Sequence, residues 1–200
     1  MRTPEAIRKF VRVFSELPGI GPRQATRLAF HVIHKGSGNQ MEMAKAIADF
    51  KNIKICKRCF YIHENQNGLC DICADMKRNQ KVIAVVEKET DLMSLENTAK
   101  FNGRYLILGD LRRTGILEAD QNLRLKNLKN FIKEELGGKA EEIIIAINPN
   151  TYGDLNAALV AKELEGFALK LTRLGRGIPT GGEIEFADED TLISALERRV

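Results

Sequence analysis

The sequence predicts an α/β protein built from several modules, on three observations. Residues 4–52 repeat apolar side chains at helical spacing, four cysteines follow in two tight pairs between 56 and 73, and from residue 83 short apolar runs alternate with helical patterns. The last observation decides the class, because strands alternating with helices form βαβ units around a parallel sheet.

Ile7, Phe10, Val11 and Phe14 occupy the i, i+3, i+4, i+7 positions of one helix face, with Arg8, Lys9 and Arg12 off that stripe. LPGIGP (17–22) interrupts the pattern. Pro22 suits the first turn of a second helix over 22–34, which turns Ala25, Leu28, Ala29 and Val32 inward. Gly36-Ser37-Gly38 reads as its end, and a third helix over 40–52 carries Met43, Ile47 and Phe50. Beyond the cysteines the expected order is strand 83–86 (IAVV), helix 90–100, strand 105–108 (YLIL) and helix 121–136, then strand 143–147 (IIIAI), helix 154–165 and strand 168–174 (ALKLTRL). Gly137-Gly138 and Gly166 fall where helix carboxyl caps belong. A last helix over 190–198 is expected to start at Asp190 and to bury Leu192, Ile193 and Leu196.

With 44% apolar and 29% charged residues, the 200-residue chain has the composition of a globular protein with a buried core. No apolar run approaches the roughly 20 residues that span a bilayer. MRTPEAIRKFVRVF carries charges inside its apolar stretch and has no small-residue cleavage site, so it does not read as a secretory signal. Two tight cysteine pairs without an export signal make a reducing cytoplasm the expected setting. The net charge of +4 is unevenly spread: residues 1–80 hold 14 basic and 7 acidic side chains, whereas the remaining 120 hold 17 and 20. A basic amino-terminal part implies a polyanionic partner, with a solvated basic face as the plainer alternative.

LPGIGPRQATRLAF (17–30) gives that polyanion a place to bind. Gly19 and Gly21 flank Ile20 at a tight turn between two helices, where the lack of Cβ lets backbone amides approach another surface. The helix that follows points its unpaired N–H groups and its dipole at the same turn, which suits a phosphate. Arg23 and Arg27, one helical turn apart, extend the face with mobile positive charge. This is the helix-hairpin-helix pattern, a sequence-independent reader of DNA backbone; the alternative is an αα-hairpin with a glycine-rich bend and no ligand.

Cys56-x-x-Cys59 and Cys70-x-x-Cys73 form two knuckles, each able to present two thiolates to one ion, and together they complete a tetrahedron. Four protein thiolates leave no position for water, so the expected ion is one structural zinc, with Lys57 and Arg58 partly offsetting the site's charge. A segment this short has no core of its own, and metal binding would supply its folding energy. A disulfide or redox pair is the alternative for the cysteines. His63 is a competing ligand but reads as a surface loop residue, and His31 and His34 as ordinary helix residues.

Glu87, Asp91, Asp110 and Asp154 fall near predicted strand ends, where ligands gather in an open parallel sheet. Such acids could hold Mg²⁺ for phosphoryl chemistry. They could equally be solvated acids and helix caps, since Asp91 and Asp154 stand near predicted helix starts. Nucleotide-binding signatures are absent: no GxxxxGK[ST] occurs, and GRGIPTGG misses GxGxxG because Thr180 replaces its third Gly.

The blocks LPGIGPRQATRLAFHVI, CxxC…CxxC, IAVVE, INPNTYGD (147–154) and RGIPTGGEIEFADEDTL (176–192) occur in an order that resembles the RecR family of recombination mediators. The resemblance spans about residues 5–197. It implies a helix-hairpin-helix module over 1–53, a zinc finger over 54–78, a Toprim domain over 79–174 and a carboxyl-terminal oligomerisation segment over 175–200. It further implies a cytoplasmic, non-enzymatic DNA-binding protein of recombinational repair. Such a protein forms a ring-like homotetramer and acts with RecO, and with RecF, to load RecA on gapped DNA. Toprim enzymes use a strand-end glutamate and a DxDxEGE-like run; here Glu87 matches the first, but Asn148, Asn150 and Tyr152 replace acids of the second, leaving Asp154. RecR proteins usually keep a glutamate where Tyr152 stands, and Leu106, Asp110 and the shortened loop after it are further departures. Glu87, Tyr152 and Asp154 are therefore expected to contact partners rather than to catalyse. The alternative is a small Toprim Mg²⁺-dependent nuclease or primase-like phosphoryl transferase.

Overall fold

The computed structural model describes residues 3–113, 115–197 and 199. The chain divides into two compact units, Met1–Ile53 and Lys54–Val200.

The first unit is helical: α1 (Glu5–Phe14), α2 (Pro22–His34) and α3 (Gly36–Asp49), closed by a 3₁₀ turn over Phe50–Asn52. Of the residues the periodicity turns inward, Ile7 of α1 and Ala25 and Ala29 of α2 are buried, while Phe10, Val11, Phe14, Leu28 and Val32 are half-buried. Helix α3 begins at Gly36, four residues before its predicted start. Gly36 itself, at φ +82°, makes the reversal from α2 in one residue, so Ser37 and Gly38 are free to be helical. Met43, Ile47 and Phe50 stay exposed: no residue of α3 is buried, and the short helices of this unit leave its apolar side uncovered.

The second unit starts with the cysteine segment. A two-residue hairpin, β1 (Lys54–Ile55) against β2 (Ile62–His63), precedes the short helix α4 (Asp71–Ala74). His63 is buried, not a surface loop residue as the sequence suggested: it sits on β2, and its Nδ1 accepts the Asn65 N–H at 3.0 Å.

An α/β layer follows, with β3 (Val82–Val86), α5 (Glu89–Asn97), β4 (Arg104–Ile107), α6 (Ala119–Glu135), β5 (Ala140–Ala146), α7 (Thr151–Leu164) and β6 (Ala168–Arg173). The sheet is wholly parallel, in the order β4-β3-β5-β6. Both faces are covered, which explains strands that read as unbroken apolar runs. Ile83, Val85, Leu106, Ile143 and Ile145 pack under α6 and α7, against Leu125, Leu128, Ile132, Val160 and Leu164. The alternate residues Ala84, Val86, Tyr105 and Ile107 face Leu92 of α5 and the four cysteines. The chain leaves β3 toward β4 on one side and returns to β5 on the other. The carboxyl ends of β3 and β5 thus flank the switch point where an open sheet offers a crevice.

After β6 an extended glycine-rich stretch leads to a 3₁₀ turn (Ile184–Phe186) and α8 (Glu189–Glu197). The cap of α8 is Asp188 rather than Asp190: its carboxylate accepts from the Thr191 N–H at 2.9 Å and its hydroxyl at 2.8 Å. Leu192 is half-buried, but Ile193 and Leu196 are exposed, since the unit supplies nothing to cover that side. The predicted end of this helix, residue 198, lies outside the described residues. Among the described residues no helix is long and apolar enough to cross a membrane.

Candidate nucleic-acid interface and metal centre

The turn between α1 and α2 is built for close approach. Gly19 adopts φ +77°, which a side chain would disfavour, and Ile20 N–H closes the turn on Leu17 O at 3.1 Å. Gly21 is the N-cap of α2 and Pro22 its first residue, and no side chain caps the helix. The space beside Gly19 and Gly21 is open, with nothing within 4 Å of where a Cβ would stand. Free helix amides and the positive end of the dipole thus meet solvent at a surface that admits an anion. Arg23 and Arg27 are exposed, and among the described residues neither meets an acid at ion-pair distance.

The four cysteines come together as their spacing requires. All are buried, none forms a disulfide, and their sulfurs lie within 4.8 Å of one another. This is the arrangement of four ligands around one metal ion. The first knuckle is a tight turn in which Phe60 N–H reaches Cys56 O at 3.0 Å, with Phe60 at φ +65°. A bulky residue in the left-handed region is strained. Here Phe60 is held by packing on the sheet core and by the Arg124 guanidinium 4.9 Å from its ring centroid. The second knuckle is the first turn of α4. Backbone N–H groups of Tyr61 and Cys70 point at the sulfurs of Cys59 and Cys56, both at 3.4 Å, as donors that stabilise thiolates. The module is also stitched to the sheet: Ile107 N–H donates to Cys59 O at 2.9 Å, covering the β4 edge, and Arg58 donates to both oxygens of Glu135 on α6.

The carboxyl edge of the sheet holds Glu87, Lys88, Arg113, Asn148, Asn150 and Tyr152 around an open cavity of about 290 Å³. Here the acids are already satisfied. Glu87 accepts from Leu111 N–H at 3.3 Å and Asn148 Nδ2 at 3.5 Å, with Lys88 Nζ at 4.0 Å. Asp110 is exposed and pairs with Lys88 at 3.6 Å; Asp91 accepts the Lys88 N–H as a helix cap. Asn150 caps α7 by accepting from Gly153 N–H at 2.9 Å, and the Tyr152 ring lies under Arg113. Asp154 is clamped by Arg173 and Arg176. Burial pushes its carboxyl up, but the two guanidinium hydrogen bonds outweigh burial and hold it below the usual range. Among the described residues, only the four cysteines bring three or more metal-ligating side chains together. The edge has a single strand-end carboxylate, not the cluster that two-metal chemistry needs. Sequence reasoning missed Arg113, Arg173 and Arg176, which neutralise this edge, because their partners lie far along the chain.

A glycine turn between two helices, a four-cysteine cluster and a parallel sheet with few free acids at its carboxyl edge are the features to set beside known families. Residues 7–51 match the family described as RecR, helix-hairpin-helix, residues 81–175 the Toprim domain, and residues 177–200 RecR, C-terminal. The chain is 37% identical to the recombination protein RecR of Myxococcus xanthus strain DK1622, over 98% of both chains. It is 36% identical to that of Paenarthrobacter aurescens strain TC1, over 97% of this chain and 96% of the relative. The chain belongs to the RecR family of recombination mediators, which carry a Toprim domain without being enzymes.

Proposed function

We propose that the protein binds DNA through the Gly19–Ile20–Gly21 turn with Arg23 and Arg27, and mediates recombinational repair in the cytoplasm together with RecO and RecF, promoting RecA loading on gapped DNA. The modules are 1–53 for DNA, 54–78 for one structural zinc at Cys56, Cys59, Cys70 and Cys73, 79–174 for the Toprim domain and 175–200 for self-association. Four cysteine sulfurs within 4.8 Å of one another fit a closed tetrahedral zinc site, which would hold the knuckles folded. The chain assembles as a homotetrameric ring, with the turn and both arginines facing DNA inside it. Glu87, Tyr152 and Asp154 serve as partner contacts on the Toprim face.

One observation carries the DNA assignment: an uncapped helix start at an open glycine turn, beside two exposed arginines that no acid engages among the described residues. The test is DNA binding across a salt series by wild type and Arg23→Ala/Arg27→Ala, with oligomer mass measured alongside. Losing two phosphate contacts should weaken binding and flatten the log affinity against log salt slope by about 2. Equal slopes would remove the turn from the interface, and a monomer at micromolar concentration would remove the ring.

A further inference from the structure

Four thiolates around a divalent ion leave the site with net negative charge, and buried charge needs a partner. Lys57 and Arg58, inside the first CxxC, are the obvious candidates. Yet Lys57 is exposed, and Arg58 gives its charge to Glu135 at 2.9 and 2.8 Å. Arg104 is placed differently. It opens β4, the strand that Cys59 O borders through Ile107 N–H, and it is only 4% exposed. Its guanidinium lies 5.0 Å from the Phe131 ring centroid, its Nε has no hydrogen-bond partner, and among the described residues no carboxylate pairs with it. A cavity of about 20 Å³ is walled by Arg58, Arg104, Cys73, Tyr105 and Phe131, so both guanidiniums border the same space as a cysteine of the cluster, and only that of Arg104 is without a carboxylate among the described residues.

We propose that Arg104 is the counter-charge of the four-cysteine metal centre, tightening its hold on the ion and tying the occupied centre to the edge of the parallel sheet. A guanidinium buried without an acid is costly unless an anion lies nearby, and the cluster is the anion the structure offers. Outer contacts of this kind typically change metal affinity about 10- to 100-fold. This inference rests on the zinc reading above.

The experiment uses full-length wild type, Arg104→Met, Arg104→Lys and Arg58→Met. Zinc per chain is measured by elemental analysis, zinc affinity by competition with a chromophoric chelator, and melting temperature with and without bound zinc. Wild type should hold one ion per chain. Arg104→Met should bind zinc about 10- to 100-fold more weakly, while Arg104→Lys and Arg58→Met stay close to wild type. Arg104→Met should also narrow the melting gap between zinc-bound and zinc-free protein. Equal zinc affinity in wild type and Arg104→Met overturns the proposal, as does an equal drop in both melting temperatures, which marks a merely structural arginine. Wild type that takes up no zinc overturns the zinc reading itself. If Arg104→Met does not fold, Arg104→Gln, which drops the charge but keeps a polar side chain, carries the same comparison.

Discussion

The four-cysteine cluster and the carboxyl edge of the sheet lie in the same unit, and both gather ligand-type side chains from distant positions. At the cluster the sulfurs turn toward one another and receive backbone N–H donors. At the edge every acid is already answered: Glu87 by Leu111 and Asn148, Asp110 by Lys88, and Asp154 by two arginines. A ligand set that converges is ready for an ion. Acids already paired with the protein's own cations would have to surrender those pairs first. The contrast separates a metal centre from the remnant of one.

The largest expected effect comes from breaking the first region. Removing the metal with a chelator, or replacing Cys59 by Ser, should unfold 54–78, because structural zinc contributes on the order of 10 kcal/mol to folding in isolated fingers. Hydrogen exchange should show protection lost across that segment and at Ile107, whose N–H it holds. Unchanged protection with Cys59→Ser would show that packing on α6, not the ion, holds the module.

Rebuilding the second region should cost less and say more. Asn148→Asp, Asn150→Asp and Tyr152→Glu together return three acids to the side of Glu87, and Asp at 150 can still cap α7. Without Mg²⁺ the like charges should lower stability by about 1–2 kcal/mol, roughly 2–8 °C in melting temperature. Millimolar Mg²⁺ should restore the rebuilt protein and leave wild type unmoved. A Mg²⁺ shift in wild type, lost with Glu87→Gln, would mean that the edge still binds a cation.

How far each region could be read from the sequence follows from the range of its interactions. The cluster was legible because the knuckle spacing is local. The helices were legible because their apolar spacing is periodic and the strands because they are short unbroken apolar runs, and α2 runs over the predicted residues because Gly21 and Pro22 mark its start. The misreadings have physical causes. One left-handed residue at Gly36 did the work of a loop, and the acidic run Asp188-Glu189-Asp190 offered more than one cap. Periodicity says which side of a helix is apolar, as for Ile193 and Leu196, but not whether anything covers it. Arg104, Arg173 and Arg176 were invisible for the opposite reason: their roles depend on partners that only the folded sheet brings near.

The smallest expected effect tests whether the Asp154 clamp is what closes the edge. Its carboxyl is held below the ordinary carboxylate value, so its contribution to stability is present above that value and lost as pH falls through the lower folded one. The side chain is 38% exposed, which keeps that contribution small through solvent screening. The effect should therefore be local. Asp154→Asn at neutral pH should raise hydrogen exchange or proteolysis in residues 174–183, where the chain leaves β6 beside Arg176, with little change in global melting. As pH falls below the ordinary carboxylate range and Asp154 takes up its proton, wild type should come to behave as the variant does at neutral pH. If the segment stays equally protected in Asp154→Asn, then the glycine-rich chain is held by its own packing. The acid would then be free of a structural duty, and the contrast with the cysteine cluster would narrow at that position.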